Sequence, residues 1–382
     1  MLALFVYTML VALFVVFGAL GAIAAPMGYA TLGKSSLVVS KVCLGTMTWG
    51  QQNTEQEGVD QLNVAFKEYG VNFLDTAEMY PVPTKAETQG RTDVIIGKWL
   101  KSGGIPRDKV ILATKVAGPG ITWLPGRNGE NSRVREKDIM VSVDESLKRL
   151  GVDYLDLLQI HWPDRYVPIF GAQGYNRSLE RESVPFEEQL IALNKLITAG
   201  KVREIGLSNE TPFGIMRFAE IARNLNLKPF VSLQNSYSLI NRAEFDSGLN
   251  EVISPKHENL GLLPYSPLAG GILTGKYADA KFDSTNSRLN MFPGYMARYK
   301  QSLSVAAVAK YCAYAARIGL TPTELALGWC FKQPHVASTI IGATSIAQLR
   351  ENMGAYDPDK WQRIDENEID SIHKECKDPS KI

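Results

Sequence analysis

The sequence predicts an α/β protein that folds as a closed (β/α)8 barrel, or TIM barrel, with a β-hairpin before the first barrel strand. Eight short strand-like segments alternate with helical segments, and eight such units fit this barrel. The strand segments are apolar nearly throughout, which is typical of parallel strands buried on both faces. An open doubly wound sheet is the alternative. It normally carries a glycine-rich turn after its first strand, and "GTMTWGQQ" is not such a turn.

The composition is that of an ordinary globular protein. The 382 residues are 45% hydrophobic and 21% charged, with a formal net charge of +1. The length permits two domains, but α/β barrels of this size often form one. The near-zero charge argues against nucleic acid as a partner, because phosphate binding needs a basic surface. The cysteines and histidines are scattered and match no disulfide or metal-ligand spacing, so we predict no metal site.

The N-terminal segment differs from the rest of the chain. Residues 2–25 contain no charged side chain, and about 20 apolar residues can span a bilayer as a helix. A signal peptide cleaved near "AIAAP" and translation from Met27 are the alternatives. The first lysines follow this segment, which would leave the barrel facing the cytosol, either soluble or anchored to a membrane. We therefore divide the chain into a leader, residues 1–26, and a barrel, residues 27–382, and expect the leader to be dispensable for folding and catalysis.

The hairpin and the strands follow in order after the leader. The hairpin is predicted over residues 29–40, "YATLGKSSLVVS", where polar turn residues separate two stretches with strand character. The eight barrel strands are then predicted at "KVCLGTM", "VNFLDTA", "VILATKV", "YLDLLQIHW", "VREIGLS", "FVSLQNS", "GLLPYSPL" and "ASTIIGAT".

Helices are predicted between the strands from apolar spacing and from their start and stop signals. Pro185 begins one helix and Gly200 ends it. "TPTEL", from Thr321, is a capping box with proline at the first helical position. Another helix is predicted over residues 138–150, before Gly151. Its apolar face consists of Ile139, Val143, Leu147 and Leu150.

Two connections are unusually long, residues 117–136 and residues 163–185. Loops of this length in a compact domain are usually functional or disordered. Both follow strands, so in a barrel they lie at the C-terminal face, where active sites form. We expect a substrate pocket there and name as its candidate walls Trp49, Trp123 and Trp162.

Four polar residues are predicted to meet at this face. Asp75, Lys115 and His161 end the second, third and fourth barrel strands, and Tyr80 lies in the loop after Asp75. Reduction of a carbonyl group needs a hydride on carbon and a proton on oxygen. A phenol has a reference pKa of about 10, and the Lys115 cation would lower the pKa of Tyr80. Asp75 would hold Lys115 in place, and His161 would orient the carbonyl oxygen.

These and other motifs together resemble the NADP(H)-dependent aldo-keto reductases, and within them the Tas-like branch. The resemblance runs in order from about Gly28 to the C-terminus. The leader is not part of it. The strings that carry it are "FLDTAEMYPVP", "LATKV", "LLQIHWP", "IGLSNET", "SLQNSYSL", "YSPLAGGILTGKY" and "IIGATSIAQLREN".

The resemblance implies an enzyme that reduces a small carbonyl substrate with NADPH. Tyr80 would be the proton donor, with Lys115, Asp75 and His161 completing a tetrad. Residues with a cofactor role fall into three groups. The nicotinamide group is Ser208, Asn209, Gln234 and Tyr265. The pyrophosphate group is Ser266, Leu268, Gly270, Lys276 and Arg288. The adenosine 2′-phosphate group is Gly342, Thr344, Gln348 and Asn352.

Two other functions remain as alternatives. Members of the same superfamily serve ion channels as cofactor-sensing regulatory subunits, and the complete tetrad favours an enzyme over that role. A barrel lyase or isomerase without redox chemistry is the second alternative. The absence of a metal-ligand pattern and the presence of the cofactor motifs weigh against it.

Overall fold

The computed structural model describes residues 25–172, 174–278, 287–291 and 297–379. Ten strands and twelve α-helices lie within these ranges. The strands are β1 Tyr29–Thr31, β2 Val38–Ser40, β3 Val42–Gly45, β4 Phe73–Asp75, β5 Ile111–Val116, β6 Leu155–Ile160, β7 Val202–Ser208, β8 Ser232–Gln234, β9 Gly261–Leu262 and β10 Thr339–Ile341. The helices are α1 Glu55–Asn63, α2 Arg91–Lys101, α3 Glu136–Leu150, α4 Phe186–Thr198, α5 Pro212–Leu225, α6 Asn250–Ile253, α7 Arg288–Met291, α8 Ser302–Arg317, α9 Pro322–Lys332, α10 Ile346–Gly354, α11 Pro358–Trp361 and α12 Glu366–Glu375.

Strands β3 to β10 form one parallel sheet in the order β10-β3-β4-β5-β6-β7-β8-β9. The two ends of this order also meet. Leu262 of β9 forms a parallel bridge with Val336, and the amide of Ile340 in β10 donates to the carbonyl oxygen of Pro264. The predicted (β/α)8 barrel is therefore confirmed.

The predicted hairpin is also confirmed and lies at the N-terminal end of the barrel strands. Strands β1 and β2 are antiparallel, with Ala30 opposite Val39. Its turn approaches the starts of β8 and β9 so closely that a β-carbon at Gly33 would lie 2.2 Å from the carbonyl oxygen of Val231. Gly33 also has a φ of 54°, so this position favours glycine.

Two apolar layers surround the strands. The barrel interior is filled by side chains that include Cys43, Phe73, Ala113, Leu157 and Leu263, and apolar hairpin residues pack against them. The larger layer lies between the outer faces of the strands and the helices. Strands with apolar residues on both faces are what this two-layered packing requires.

The helix signals act as the sequence predicts. Helix α3 ends at Gly151, which takes the left-handed conformation with a φ of 64°. Pro185 is the N-cap of α4. At α9 the Thr321 side chain accepts from the Glu324 amide, and the Glu324 side chain accepts from the Thr321 amide, which completes the capping box.

Across the described ranges, no single helix is both long and apolar enough to cross a membrane. The bent pair α8 and α9 passes the same test by length and composition only. The segment predicted as a span, residues 2–25, lies outside the described residues except for Ala25.

We expect the free energy of unfolding to fall on acidification, in part because of His335. This side chain packs beside the rings of Tyr237 and Phe245, and burial lowers its pKa to about 4. The imidazole of the unfolded chain has a pKa of about 6.5, so between these two values only the unfolded state takes up the proton. The contribution of His335 to the free energy of unfolding is therefore fully present above about pH 6.5. This contribution declines by up to about 3 kcal/mol as the pH falls through 4.

Urea unfolding at about pH 7.5 and about pH 5 measures this decline. In the His335→Asn variant the difference between the two pH values should be smaller than in the wild type, because no imidazole titrates at this position. Equal differences in the two proteins would contradict the prediction.

Candidate active site

The strand pattern directs two of the predicted residues into the mouth of the barrel. Side chains alternate along a strand, and Phe73 of β4 and Ala113 of β5 lie in the barrel interior. Asp75 and Lys115 follow two residues later on the same strands, so they share this interior at its C-terminal end. Both side chains are buried.

Lys115 connects the polar groups at this end. Its Nζ donates to Asp75 Oδ2 at 2.6 Å, to the carbonyl oxygen of Thr76 at 2.7 Å and to the hydroxyl of Tyr80 at 3.4 Å. Burial by itself would lower the pKa of Lys115, but the charge of Asp75 and the interaction with Tyr80 outweigh it and raise the pKa. The structure therefore holds a lysine cation beside a phenol, as the sequence predicts.

His161 lies against Tyr80. Their rings are 5.9 Å apart between centroids and nearly perpendicular, at 77°. Burial and then the charge of Lys115 lower the pKa of His161 well below its usual range, so the imidazole is neutral near pH 7. Among the described residues its buried Nδ1 has no hydrogen-bond partner. A buried polar atom without a partner is uncommon, and a ligand at the rim would supply one.

Two glutamines hold the second oxygen of Asp75. Gln234 Nε2 donates to Asp75 Oδ1 at 2.9 Å and to Gln159 Oε1 at 3.0 Å, and Gln159 Nε2 lies 3.3 Å from Asp75 Oδ1. Gln159 is not among the predicted site residues, although its position two residues before His161 puts both on one face of the strand. Gln234 is predicted to contact the nicotinamide. In the structure its amide is engaged by Asp75.

Ser208, Asn209 and Tyr265 form a connected group at the ends of β7 and β9. Tyr265 donates its hydroxyl hydrogen to Asn209 Oδ1 at 2.6 Å. Asn209 Nδ2 donates to the carbonyl oxygen of His161 at 2.8 Å and to Ser208 Oγ at 3.1 Å. The predicted nicotinamide residues therefore lie beside the tetrad, and their side chains orient one another.

The chain after Tyr265 makes a left-handed turn suited to an anion. Ser266, Ala269, Gly270 and Gly271 have φ values of 55°, 48°, 70° and 94°. The amides of Ala269 and Gly271 donate within the turn to the carbonyl oxygens of Ser266 and Leu268, and a left-handed turn can present its other N–H groups in a concave surface.

The remaining residues of the predicted pyrophosphate group surround this turn. A β-carbon at Gly271 would lie 3.3 Å from Lys276 Nζ, so this ammonium group reaches the turn. Leu268 packs against the hydrophobic core. Arg288 begins α7, and its side chain lies outside the described part of the chain.

The residues of the predicted adenosine 2′-phosphate group form hydrogen bonds with one another in and after the loop before α10. Gln348 Oε1 accepts from the amide and the hydroxyl of Thr344, both at 3.0 Å. Asn352 Nδ2 donates to the carbonyl oxygen of Gly342 at 3.1 Å. A β-carbon at Gly342 would meet no atom of the described residues within 4 Å, so among them this loop borders open space at the N-terminal end of a helix.

The three tryptophans predicted as pocket walls have different positions. Trp49 is fully buried in the layer between strands and helices, where its Nε1 donates to Gln61 Oε1 at 3.3 Å. It has no surface to offer a substrate, so this part of the prediction is wrong. Trp162 lies 4.9 Å from His161 between ring centroids. Trp123, from the first long loop, packs against the small apolar cluster that contains Trp162.

The two long loops at this face are tied together by one buried carboxylate. Asp164 accepts from Arg133 at 2.6 to 3.1 Å and from the backbone amides of Val134 and Val184 at 2.9 and 2.8 Å. Arg133 and Val134 belong to the first loop, and Val184 belongs to the second. This contact is not predicted from the sequence, because it depends on loop conformation.

The chain is similar in sequence to several known proteins. The chain is 41% identical to "Protein tas" of Escherichia coli (strain K12) over 348 residues, which is 91% of this chain and 98% of that protein. It is 41% identical to an "Aldo-keto reductase" of Babesia bovis over 285 residues, 72% of this chain and 99% of that protein. A "Putative voltage-gated potassium channel subunit beta" of Schizosaccharomyces pombe is 31% identical over 344 residues, 88% and 91% of the two chains. The sequence profile of the Aldo/keto reductase family matches residues 41–369, and the chain therefore belongs to this family, as a Tas-like oxidoreductase.

Proposed function

We propose that this protein reduces aldehydes and ketones to alcohols with NADPH, and that Tyr80 donates the proton. The contact of Lys115 Nζ with both the Asp75 carboxylate and the Tyr80 hydroxyl carries the proposal. A buried cation beside a phenol stabilises the phenolate that remains when the proton leaves. A lysine placed only for stability would not need the phenol as a partner.

Each residue has one task in the proposed reaction. Bound NADPH supplies a hydride to the carbonyl carbon. Tyr80 transfers its hydroxyl proton to the carbonyl oxygen, which takes up the electron pair of the C=O π bond. Lys115 stabilises the phenolate, and Asp75 holds Lys115. Neutral His161 donates a hydrogen bond to the same oxygen and orients it.

The cofactor groups fit a dinucleotide. Asn209 Oδ1, fixed by the Tyr265 hydroxyl, keeps a second lone pair beside the tetrad that can accept from the carboxamide N–H of nicotinamide. The left-handed turn with Lys276 suits the pyrophosphate, because it combines backbone N–H groups with an ammonium group. The loop before α10 suits the adenosine phosphate, because free N–H groups at a helix N-terminus favour anions.

We expect NADPH to bind at least roughly tenfold more tightly than NADH, the worth of one additional charge-assisted contact. The 2′-phosphate adds negative charge to the dinucleotide. Residues 342–352, which include the N-terminal end of α10, would receive this phosphate. Titration of tryptophan fluorescence with each dinucleotide measures both dissociation constants. Competition by 2′,5′-ADP and by 5′-AMP serves as the control, since these ligands differ in the same phosphate. Equal dissociation constants for the two dinucleotides would contradict the NADPH assignment.

The reaction itself is tested by following NADPH oxidation with a panel of aldehydes, ketones and quinones. We expect turnover with at least one aldehyde or ketone, together with formation of the matching alcohol. Tight NADPH binding without turnover on any substrate would contradict the enzyme and favour a cofactor-sensing regulatory subunit. The relative named as a channel β subunit is the observation that supports this second candidate.

A further inference from the structure

The proposed reaction does not use Glu78, a carboxylate two residues before Tyr80 that is only 2% exposed. Its partner is Arg127, which lies in the first long loop and is 4% exposed. Arg127 Nη2 donates to Glu78 Oε1 at 3.0 Å and to Oε2 at 3.1 Å. The two residues form a salt bridge with almost no contact with solvent.

Glu78 is also joined to the strand that carries the catalytic lysine. Its Oε1 accepts from the amide of Ala117 at 2.7 Å, and its own amide donates to the carbonyl oxygen of Lys115 at 3.2 Å. Two residues further on, the carbonyl oxygen of Tyr80 accepts from the amide of Gly90 at 2.9 Å. A shift of Glu78 would therefore change the position of Tyr80 relative to β5.

Arg127 is held in turn by the first turn of α3. Its Nη2 donates to the carbonyl oxygen of Asp138 at 3.3 Å. Its Nε lies 3.3 Å from Asp138 Oδ1, an ion pair without hydrogen-bond alignment. The loop that carries Arg127 also supplies Leu124 and Trp123 to the apolar cluster around Trp162. One guanidinium group therefore joins the loop that carries Tyr80, the first long loop and helix α3.

Stability alone does not explain this pair. Removing two charges from water is costly, and replacing a buried ion pair by apolar side chains of similar volume is often neutral or stabilising. Both oxygens of Glu78 accept from the same nitrogen of Arg127, and charge-assisted hydrogen bonds of this kind are shorter and stronger than neutral ones. Geometry matters at this place, because the phenol must stay within reach of both Lys115 and a substrate oxygen.

We propose that Glu78 and Arg127 are positioning residues. They hold the Tyr80 hydroxyl at its working distance from Lys115, and they position the first long loop against the substrate pocket. The turnover part of this inference rests on the proposed carbonyl reduction. Within the described ranges the pair contacts none of the groups assigned to the cofactor, so its loss should affect turnover and KM for the carbonyl substrate. The dissociation constant of NADPH should not change.

The test compares Arg127→Met, Glu78→Gln and the double variant. Each single variant should lower kcat by roughly 10- to 100-fold, the usual cost of displacing a reacting group by about 1 Å. Arg127→Met should also unfold at lower urea concentration, because it leaves the Glu78 carboxylate buried without its cation, whereas in Glu78→Gln the guanidinium group keeps its ion pair with Asp138. The double variant should regain much of this stability, since neither charge is then unpaired, but kcat should stay low. If Arg127→Met does not fold, Glu78→Gln, which keeps an acceptor for Ala117, gives the same comparison.

Arg135→Met is the matched control. Arg135 pairs with Asp138 through Nε and Oδ2 at 2.6 Å, but in the described part of the chain it has no contact with Glu78. This variant loses an ion pair at the same helix start and should keep wild-type kcat. An equal loss of kcat in Arg135→Met, or recovery of kcat together with stability in the double variant, would overturn the inference.

Hydrogen exchange supplies a readout that does not depend on turnover. In Arg127→Met or Glu78→Gln, amides in residues 76–90 and 117–127 should exchange faster, while those in β7 and β8 should not change. Unchanged exchange in the first two segments would overturn the inference even if the wild type reduces no carbonyl. Absence of turnover in the wild type would instead contradict the proposed function alone.

Discussion

Replacing Tyr80 by phenylalanine should lower carbonyl reduction by roughly 10²–10⁴-fold, the usual contribution of a positioned general acid. The change removes one hydroxyl group and keeps the ring of a residue that is only 8% exposed. The lost contact with Lys115 Nζ is long, at 3.4 Å. We therefore expect the free energy of unfolding and the affinity for NADPH to change little while the proton source disappears.

Steady-state reduction of an accepted aldehyde, alongside NADPH titration of the same protein, measures both quantities. Tyr265→Phe is the matched comparison, because it removes another phenolic hydroxyl at the same end of the barrel. That hydroxyl orients Asn209, so its loss should weaken cofactor binding more than the chemical step. A Tyr80→Phe protein that retains near wild-type turnover would exclude Tyr80 as the proton donor.

The predictable part of this site depends on two regular features of the fold. Alternation along a strand fixes which side chains enter the barrel, and parallel strands bring their C-terminal ends together. Asp75 ends β4, Lys115 is the penultimate residue of β5 and His161 directly follows β6, so their meeting follows from eight strands in chain order. Tyr80 follows closely enough to be carried with Asp75. The same rules would also have indicated Gln159, two residues before His161.

The other contacts depend on loops, whose conformation local sequence does not determine. Trp49 lies just after β3, where strand alternation no longer applies, and the structure packs it beneath α1 and α2. Glu78 and Arg127 are 49 residues apart in the chain, and neither lies in a strand or helix. Their pairing depends on how the first long loop folds back over α3, which is a matter of tertiary packing.

Lys115→Met should cause the largest combined loss, in stability and in turnover. The lysine is fully buried and its Nζ lies 2.6 Å from an Asp75 carboxylate that is itself only 3% exposed. Methionine fills similar space but leaves that carboxylate without a cation. Breaking a buried pair in this way costs about 3–5 kcal/mol. The amides of Gln234 and Gln159 would remain on the other oxygen, but they carry no charge to balance it.

The same substitution removes the cation that stabilises the Tyr80 phenolate, so kcat should fall by at least roughly 10²-fold. In the wild type the pKa of Lys115 is raised. Its contribution to stability is therefore fully present below its unfolded-state pKa of about 10.4 and is lost only as the pH rises through the higher folded-state value. The stability difference between the wild type and Lys115→Met should thus be constant between about pH 7 and pH 9, where the lysine remains charged in both states.

Lys41→Met is the control for the removal of a partly buried lysine. Lys41 lies at the opposite end of the barrel, where its Nζ donates to the carbonyl oxygen of Val336 at 2.8 Å. Its loss deletes one hydrogen bond and leaves no carboxylate unpaired, so the cost should be about 1–2 kcal/mol, with unchanged turnover. Urea unfolding and aldehyde reduction of both variants give the comparison. Equal stability and equal activity of Lys115→Met and Lys41→Met would contradict both roles of Lys115, as the partner of Asp75 and as the cation beside the tyrosine. Removing a cation with these roles should cost more than one ordinary hydrogen bond.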